Sequence, residues 1–127
     1  MQRIKMGVVG CGAISAQYLD MAKNFPLVEV AAVADLNAAA AQGRAAEYNI
    51  PRVLEVDQLL ADPAIELVLN LTVPKAHVPI AIKALQNGKH TYCEKPLGID
   101  RAEGRQVLDL ARQKNLRVGC APDTFMG

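Results

Sequence analysis

The sequence predicts an α/β fold, a doubly wound parallel sheet with helices on both faces in three α/β/α layers. Three observations lead there. Short strand-like runs recur six times, and the first is near-continuously apolar, as a strand covered on both faces requires. Stretches of helical length, alanine-rich or apolar every third or fourth residue, separate those runs. The joints are short and carry Asn, Gly and Pro where helices start and stop, so successive strands pair in parallel through right-handed crossovers.

The first strand is expected over residues 3–9, ending in Gly10-Cys11-Gly12. A helix over 13–23 then buries Ile14, Tyr18 or Leu19, and Met21 or Ala22, and Asn24-Phe25-Pro26 ends it. Residues 28–34 form a β-branched second strand closed by Asp35. Asn37 is placed to cap the alanine-rich helix that runs to Tyr48, and Asn49 to close it. A short third strand over 52–54 precedes a brief helix over 57–61, stopped by Asp62-Pro63. The fourth strand, 65–71, leads into Thr72-Val73-Pro74 and a helix carrying Val78, Ile80, Ala81, Ala84 and Leu85, with Asn87-Gly88 at its end. The fifth strand is 90–93, followed by Glu94-Lys95-Pro96. Asp100 and Glu103 have the spacing of a capping box for a helix to Lys114, and 116–121 is the sixth strand. A strand order of 3-2-1-4-5-6 would set a ligand crevice over the carboxyl ends of strands one and four.

Composition narrows the function classes. Apolar residues make up 51% and aromatic residues only 4%, so the core is aliphatic. Fourteen basic residues against thirteen acidic ones give a net charge of +1 with no basic run, which argues against nucleic acid or an anionic membrane as partner. Cys11, Cys93 and Cys120 are odd in number and lack metal-ligand spacing. They read as reduced thiols of a cytoplasmic protein, and no metal is expected. The apolar segment 6–10 is shorter than the roughly 7 residues of a secretory signal core, and no stretch reaches the length of a membrane span.

The chemistry gathers at the strand ends. Gly10 suits the tight turn leaving the first strand, and Gly12 lets the backbone approach a pyrophosphate with no Cβ in the way. The helix that follows directs its N–H groups and positive dipole end at phosphate. Ser15 replaces the third glycine of G-x-G-x-x-G, and its small side chain still permits close helix–strand packing. Asp35 stands 23 residues beyond Gly12, near the offset of about 20 at which an acid holds the adenosine ribose. A 2′-phosphate at roughly 5 Å would be repelled by about 3 kcal/mol at an effective dielectric of about 20. Leu36 and Asn37 supply no guanidinium to reverse this, so NAD is favoured over NADP. The competing reading of Asp35, a solvated strand-end carboxylate, is weaker once the glycine loop precedes it.

Leu71, Thr72 and Pro74 would line the nicotinamide half of the crevice. His77, in the first turn of the next helix, reads equally as a ligand contact or an ordinary polar residue. Glu94 and Lys95 side by side commonly form a solvated pair, but here they close a buried strand and are held by Pro96. A lysine facing the crevice could bond a substrate hydroxyl and assist its proton during hydride transfer.

These residues resemble a known family. Gly10-Cys11-Gly12-Ala13-Ile14, Asp35, Thr72-Val73-Pro74-Lys75-Ala76-His77 and Glu94-Lys95-Pro96-Leu97 occur in the order and at the intervals seen in the N-terminal Rossmann-type domain of the Gfo/Idh/MocA oxidoreductases. The resemblance covers the whole chain, and Glu-Lys-Pro is its most specific mark. It implies an NAD(P)-dependent dehydrogenase of the CH–OH class acting on a sugar, cyclitol or related polyol. Lys95 would match the catalytic lysine, with Glu94 and Pro96 positioning it. Residues 1–121 would be the dinucleotide-binding domain and 122–127 the start of a crossover to a second, mainly β domain. That domain, which supplies the lysine's partners, most substrate contacts and the homo-oligomer interface, is not in the sequence, so the chain reads as part of a longer enzyme. A stand-alone nucleotide-binding or redox-sensing module is the alternative, and it gives Lys95 no task. An adenosylmethionine-dependent methyltransferase leaves Glu94-Lys95-Pro96 unexplained.

Overall fold

The computed structural model describes residues 2–121. Within them the chain runs β1 (Ile4–Val9), α1 (Ala13–Ala22), β2 (Val28–Ala34), α2 (Ala38–Tyr48), β3 (Arg52–Val53), α3 (Val56–Ala61), β4 (Leu67–Asn70), α4 (Pro74–Gln86), β5 (His90–Cys93), α5 (Arg101–Gln113) and β6 (Val118–Cys120). The six strands form one parallel sheet in the order β3-β2-β1-β4-β5-β6, the order expected from the sequence. Residues 122–127, read as the start of a crossover, lie outside the described residues.

Side-chain alternation along the central strands divides the core between the two faces. Met6, Val8, Val33 and Leu69 pack with Leu19 of α1 and with Ala41 and Ala45 of α2. The intervening residues, Val9, Ala32, Ala34 and Val68, pack with Leu59 and Leu60 of α3 and Ala84 of α4. A third cluster joins Val78, Ala81 and Leu85 of α4 to Val107 and Ala111 of α5. Leu59 lies so close over Gly7 that a Cβ there would meet its Cδ2 at 2.7 Å. The sheet is thus covered on both faces near β1, where the crevice opens.

Local chemistry sets the helix ends. The Asn37 side chain accepts from the N–H groups of Ala39 and Ala40, and Asn49 closes α2 at φ 55°. Asp100 accepts from Glu103 N–H at 2.9 Å. The return bond of the expected capping box goes elsewhere, because Glu103 Oε2 accepts from Ile99 N–H. Helix α3 begins at Val56, one residue earlier than expected, where Gln58 Oε1 accepts the Glu55 N–H.

In α1, Leu19 and Ser15 are buried and Ile14 and Ala22 half-buried, whereas Met21, the other residue offered with Ala22, is 56% exposed. The inward stripe is set by where α1 crosses the sheet, and Ser15 tolerates burial because its hydroxyl donates to Gly12 O at 2.6 Å.

Candidate functional site

The carboxyl ends of β1, β2 and β4 meet at a crevice of about 290 Å³, lined by Val9, Gly10, Gly12, Asp35, Leu36, Val56, Leu71, Thr72, Val73, Ala76 and Ile80. Gly10 has φ +104°, and a Cβ there would meet the Leu71 carbonyl carbon at 2.6 Å, so the turn out of β1 requires glycine. Gly12 is different. Its φ of −75° suits any residue, and a Cβ would meet nothing within 4 Å. The space beside it belongs to the crevice.

Gly12 is also the N-cap residue of α1, and no side chain caps that helix. Its first N–H groups and positive dipole end therefore serve the crevice, with Ala13 and Ile14 as its first two residues. Asp35 fixes the loop on the other side. Its Oδ2 accepts from Cys11 N–H and its Oδ1 from Asn37 N–H, both at 2.7 Å. Each carboxylate oxygen retains a lone pair for a further donor.

Arg44 is a site-shaping residue that the sequence reading missed. From α2 its Nε donates to Ser15 Oγ at 2.9 Å and its Nη2 to Gly12 O at 3.3 Å, while Nη1 pairs with Glu47 at 2.7 Å. Leu36 and Asn37 bring no guanidinium, but Arg44 reaches the loop from α2 with its donors on protein oxygens. No short-range motif announces this, because Arg44 lies 29 residues from Ser15.

Cys11 is buried, and burial, with the Asp35 carboxylate adding to it, pushes its thiol up to about 11. It contributes backbone rather than nucleophilic chemistry. Cys93 is buried, and burial together with neighbouring Cys120 raises its thiol to about 12.

Leu71 is buried at the crevice wall and Pro74 opens α4. His77 does not face the crevice. It is 1% exposed, with Nδ1 at 2.6 Å from Pro96 O and Nε2 at 2.8 Å from Thr72 O. Of its two sequence readings, a contact to a bound ligand is the one this burial does not favour.

At the end of β5, Glu94 N–H donates to Asn70 O at 3.0 Å, and the Glu94 carboxylate accepts a short hydrogen bond from Tyr18 Oη. Burial and that bond raise the Tyr18 hydroxyl well above its ordinary range. Lys95 is exposed, and its peptide to Pro96 is cis. Glu94 is thus committed to α1, and Ile14 shares with it the small hollow beside Tyr18.

A larger apolar hollow of about 620 Å³ lies between α1 and strands β4 to β6. Val28, Leu67, His90 and Val118, each the first residue of its strand, line it. Size alone would favour it, but ligands of such sheets bind at the carboxyl ends, and the glycine loop and Asp35 stand there. Among the described residues no group of three or more His, Cys, Asp or Glu side chains is arranged to hold a metal ion. No helix among them is long and apolar enough to cross a membrane.

Comparison with known proteins agrees with this geometry. The family model described as an oxidoreductase family with an NAD-binding Rossmann fold, GFO_IDH_MocA, matches residues 4–121. Inositol 2-dehydrogenase of Salmonella typhimurium is 35% identical over 115 residues, 88% of this chain and 34% of the relative. The structure of an NAD-binding protein from Listeria innocua superposes with a TM-score of 0.87 at 27% identity, over 94% of this chain and 35% of that one. Biliverdin reductase from Synechocystis, solved with biliverdin and NADP+, gives 0.85 at 27% identity, over 92% and 37%. The chain spans about a third of the length of these relatives.

Proposed function

The chain belongs to the GFO_IDH_MocA oxidoreductase family as its NAD-binding Rossmann domain, and on that premise we propose that it serves a dehydrogenase that oxidises a polyol, cyclitol or sugar hydroxyl with NAD. The observation that carries the proposal is the open space beside Gly12, at the uncapped start of α1 and beside Asp35. A dinucleotide fits these residues. The N–H groups after Gly10, Cys11 and Gly12, with Ala13 and Ile14, would receive the pyrophosphate, and Asp35 would accept ribose hydroxyls beside Leu36. Leu71, Thr72 and Pro74 would flank the nicotinamide half, near Glu94 and Lys95. Asp35 favours NAD over NADP, because Arg44 is spent on Ser15, Gly12 and Glu47.

When bound, the nicotinamide supplies a hydride acceptor. This domain's part is to take the proton of the substrate hydroxyl. Lys95 at the end of β5 is the residue for that task, as a general base acting once its ammonium has lost a proton. Glu94, held by Tyr18, keeps the segment in place.

The relative named inositol 2-dehydrogenase supports a small polyol substrate. We read the working enzyme as a cytoplasmic homo-oligomer with neither nucleic acid nor membrane as partner. Residues 1–127 alone should bind NAD but turn over no member of a polyol panel, because proton transfer needs a substrate held within hydrogen-bond reach of Lys95. Turnover by this chain that disappears in Lys95→Ala would show that it holds substrate unaided. Absence of NAD binding would defeat the assignment itself.

A further inference from the structure

We propose that His77 is a positioning residue that ties the Thr72 wall of the crevice to Pro96 and so fixes the backbone carrying Lys95. The proposal rests on Lys95 as the proton-transfer residue. His77 enters α4 three residues after Pro74 and is 1% exposed. Its ring spans two segments distant in sequence, since Thr72 lies 5 residues away and Pro96 lies 19 away. Both partners are carbonyl oxygens, which only accept. The ring lies within hydrogen-bond distance of both, 2.6 Å from Pro96 O at Nδ1 and 2.8 Å from Thr72 O at Nε2, and so touches both segments.

The frame around the ring is equally committed. Asn70, the last residue of β4, is fully buried and donates from Nδ2 to His77 O at 2.9 Å. Its Oδ1 accepts from Thr72 Oγ1 at 2.6 Å, and its carbonyl accepts from Glu94 N–H at 3.0 Å. The Asn70 carbonyl and the His77 ring thus join the end of β4 and the segment after it to the residues that follow β5. A histidine that merely filled space would leave its ring nitrogens to water or to a single partner. This ring gives both nitrogens to the two segments that flank the proposed reaction centre. Losing it would leave both carbonyls without this partner.

The test uses the 15N-labelled chain, which has only two histidines. His90 is the internal control, because its Nδ1 accepts from Arg117 N–H at 3.0 Å and so bears no proton. His77 should show a ring N–H resonance protected from exchange with water, whereas His90 shows none on Nδ1. A His77 ring N–H exchanging as fast as that of a free imidazole would overturn the proposal. His77→Gln should then shift the amide resonances of Thr72, Lys95 and Leu97 while leaving those of Gly10 to Ile14 in place. It should weaken NAD binding less than threefold. Unmoved Lys95 and Leu97 resonances would also overturn the tie. If His77→Gln does not fold, the ring resonances of the unsubstituted chain decide the question alone. Failure of that chain to bind NAD would count against the cofactor reading, whereas the ring signature tests the tie separately.

Discussion

Asp35 Oδ2 accepts the backbone N–H of Cys11 at 2.7 Å, joining the exits of β1 and β2 across 24 residues. One carboxylate therefore shapes the glycine loop and faces the crevice where a ribose would lie. Its two roles separate in one variant. NAD should bind at least tenfold more tightly than NADP, about 1.4 kcal/mol. Asp35→Ala should bring the two within about threefold of each other, mainly by weakening NAD. Because Cys11 and Asn37 also lose their acceptor, stability should fall by about 1–2 kcal/mol. Calorimetry with each cofactor and urea unfolding measure the two effects.

Gly10 and Gly12 should fail in opposite ways. Gly10→Ala places a Cβ against the Leu71 carbonyl at a positive φ, and should cost at least about 2 kcal/mol of stability. Gly12→Val has room and ordinary backbone angles, so it should unfold within about 1 kcal/mol of the parent yet lose measurable NAD binding. Unfolding curves paired with cofactor titration distinguish them.

Ser15→Gly restores the familiar third glycine but removes the buried hydroxyl between Gly12 O and Arg44 Nε. The substitution should lose about 0.5 kcal/mol of helix propensity and about 1–2 kcal/mol from the stranded partners. Ser15→Ala should lose only the second part. Urea midpoints of the two variants test the difference.

Alkaline stability follows from the buried thiols. Cys11 and Cys93 are raised from 9.0 to about 11 and about 12 by burial. A raised folded-state value means that the unfolded chain loses its proton first. The contribution is complete below about pH 9 and declines as pH climbs toward the folded values, by about 1.4 kcal/mol per pH unit for each thiol. Urea midpoints between pH 8 and 11 should fall less steeply for Cys11→Ala combined with Cys93→Ala than for the parent. Parallel curves would contradict this account.

Most of the frame was legible in the sequence because it rests on local chemistry. Apolar runs gave the six strands, Asn37 and Asn49 marked both ends of α2, and the spacing from Gly12 to Asp35 brought loop and acid together. Contacts made by long side chains across many residues were not legible. Arg44 reaches Ser15, Tyr18 reaches Glu94 and His77 reaches Pro96 only because the sheet brings their elements together. Hydropathy likewise could not choose between Met21 and Ala22, and it cannot see that the Ser15 hydroxyl is satisfied by the carbonyl three residues earlier.

The central claim, that the crevice between Gly12 and Asp35 is the dinucleotide site, is tested most directly by titrating the 127-residue chain with NAD while following its amide resonances. The expected result is saturable binding tighter than about 1 mM, about −4 kcal/mol, with shifts concentrated at Gly10 to Ile14, Asp35, Leu36 and Thr72. Absence of saturation, or shifts confined to the hollow beside Tyr18, Phe25 and Tyr92, would contradict it.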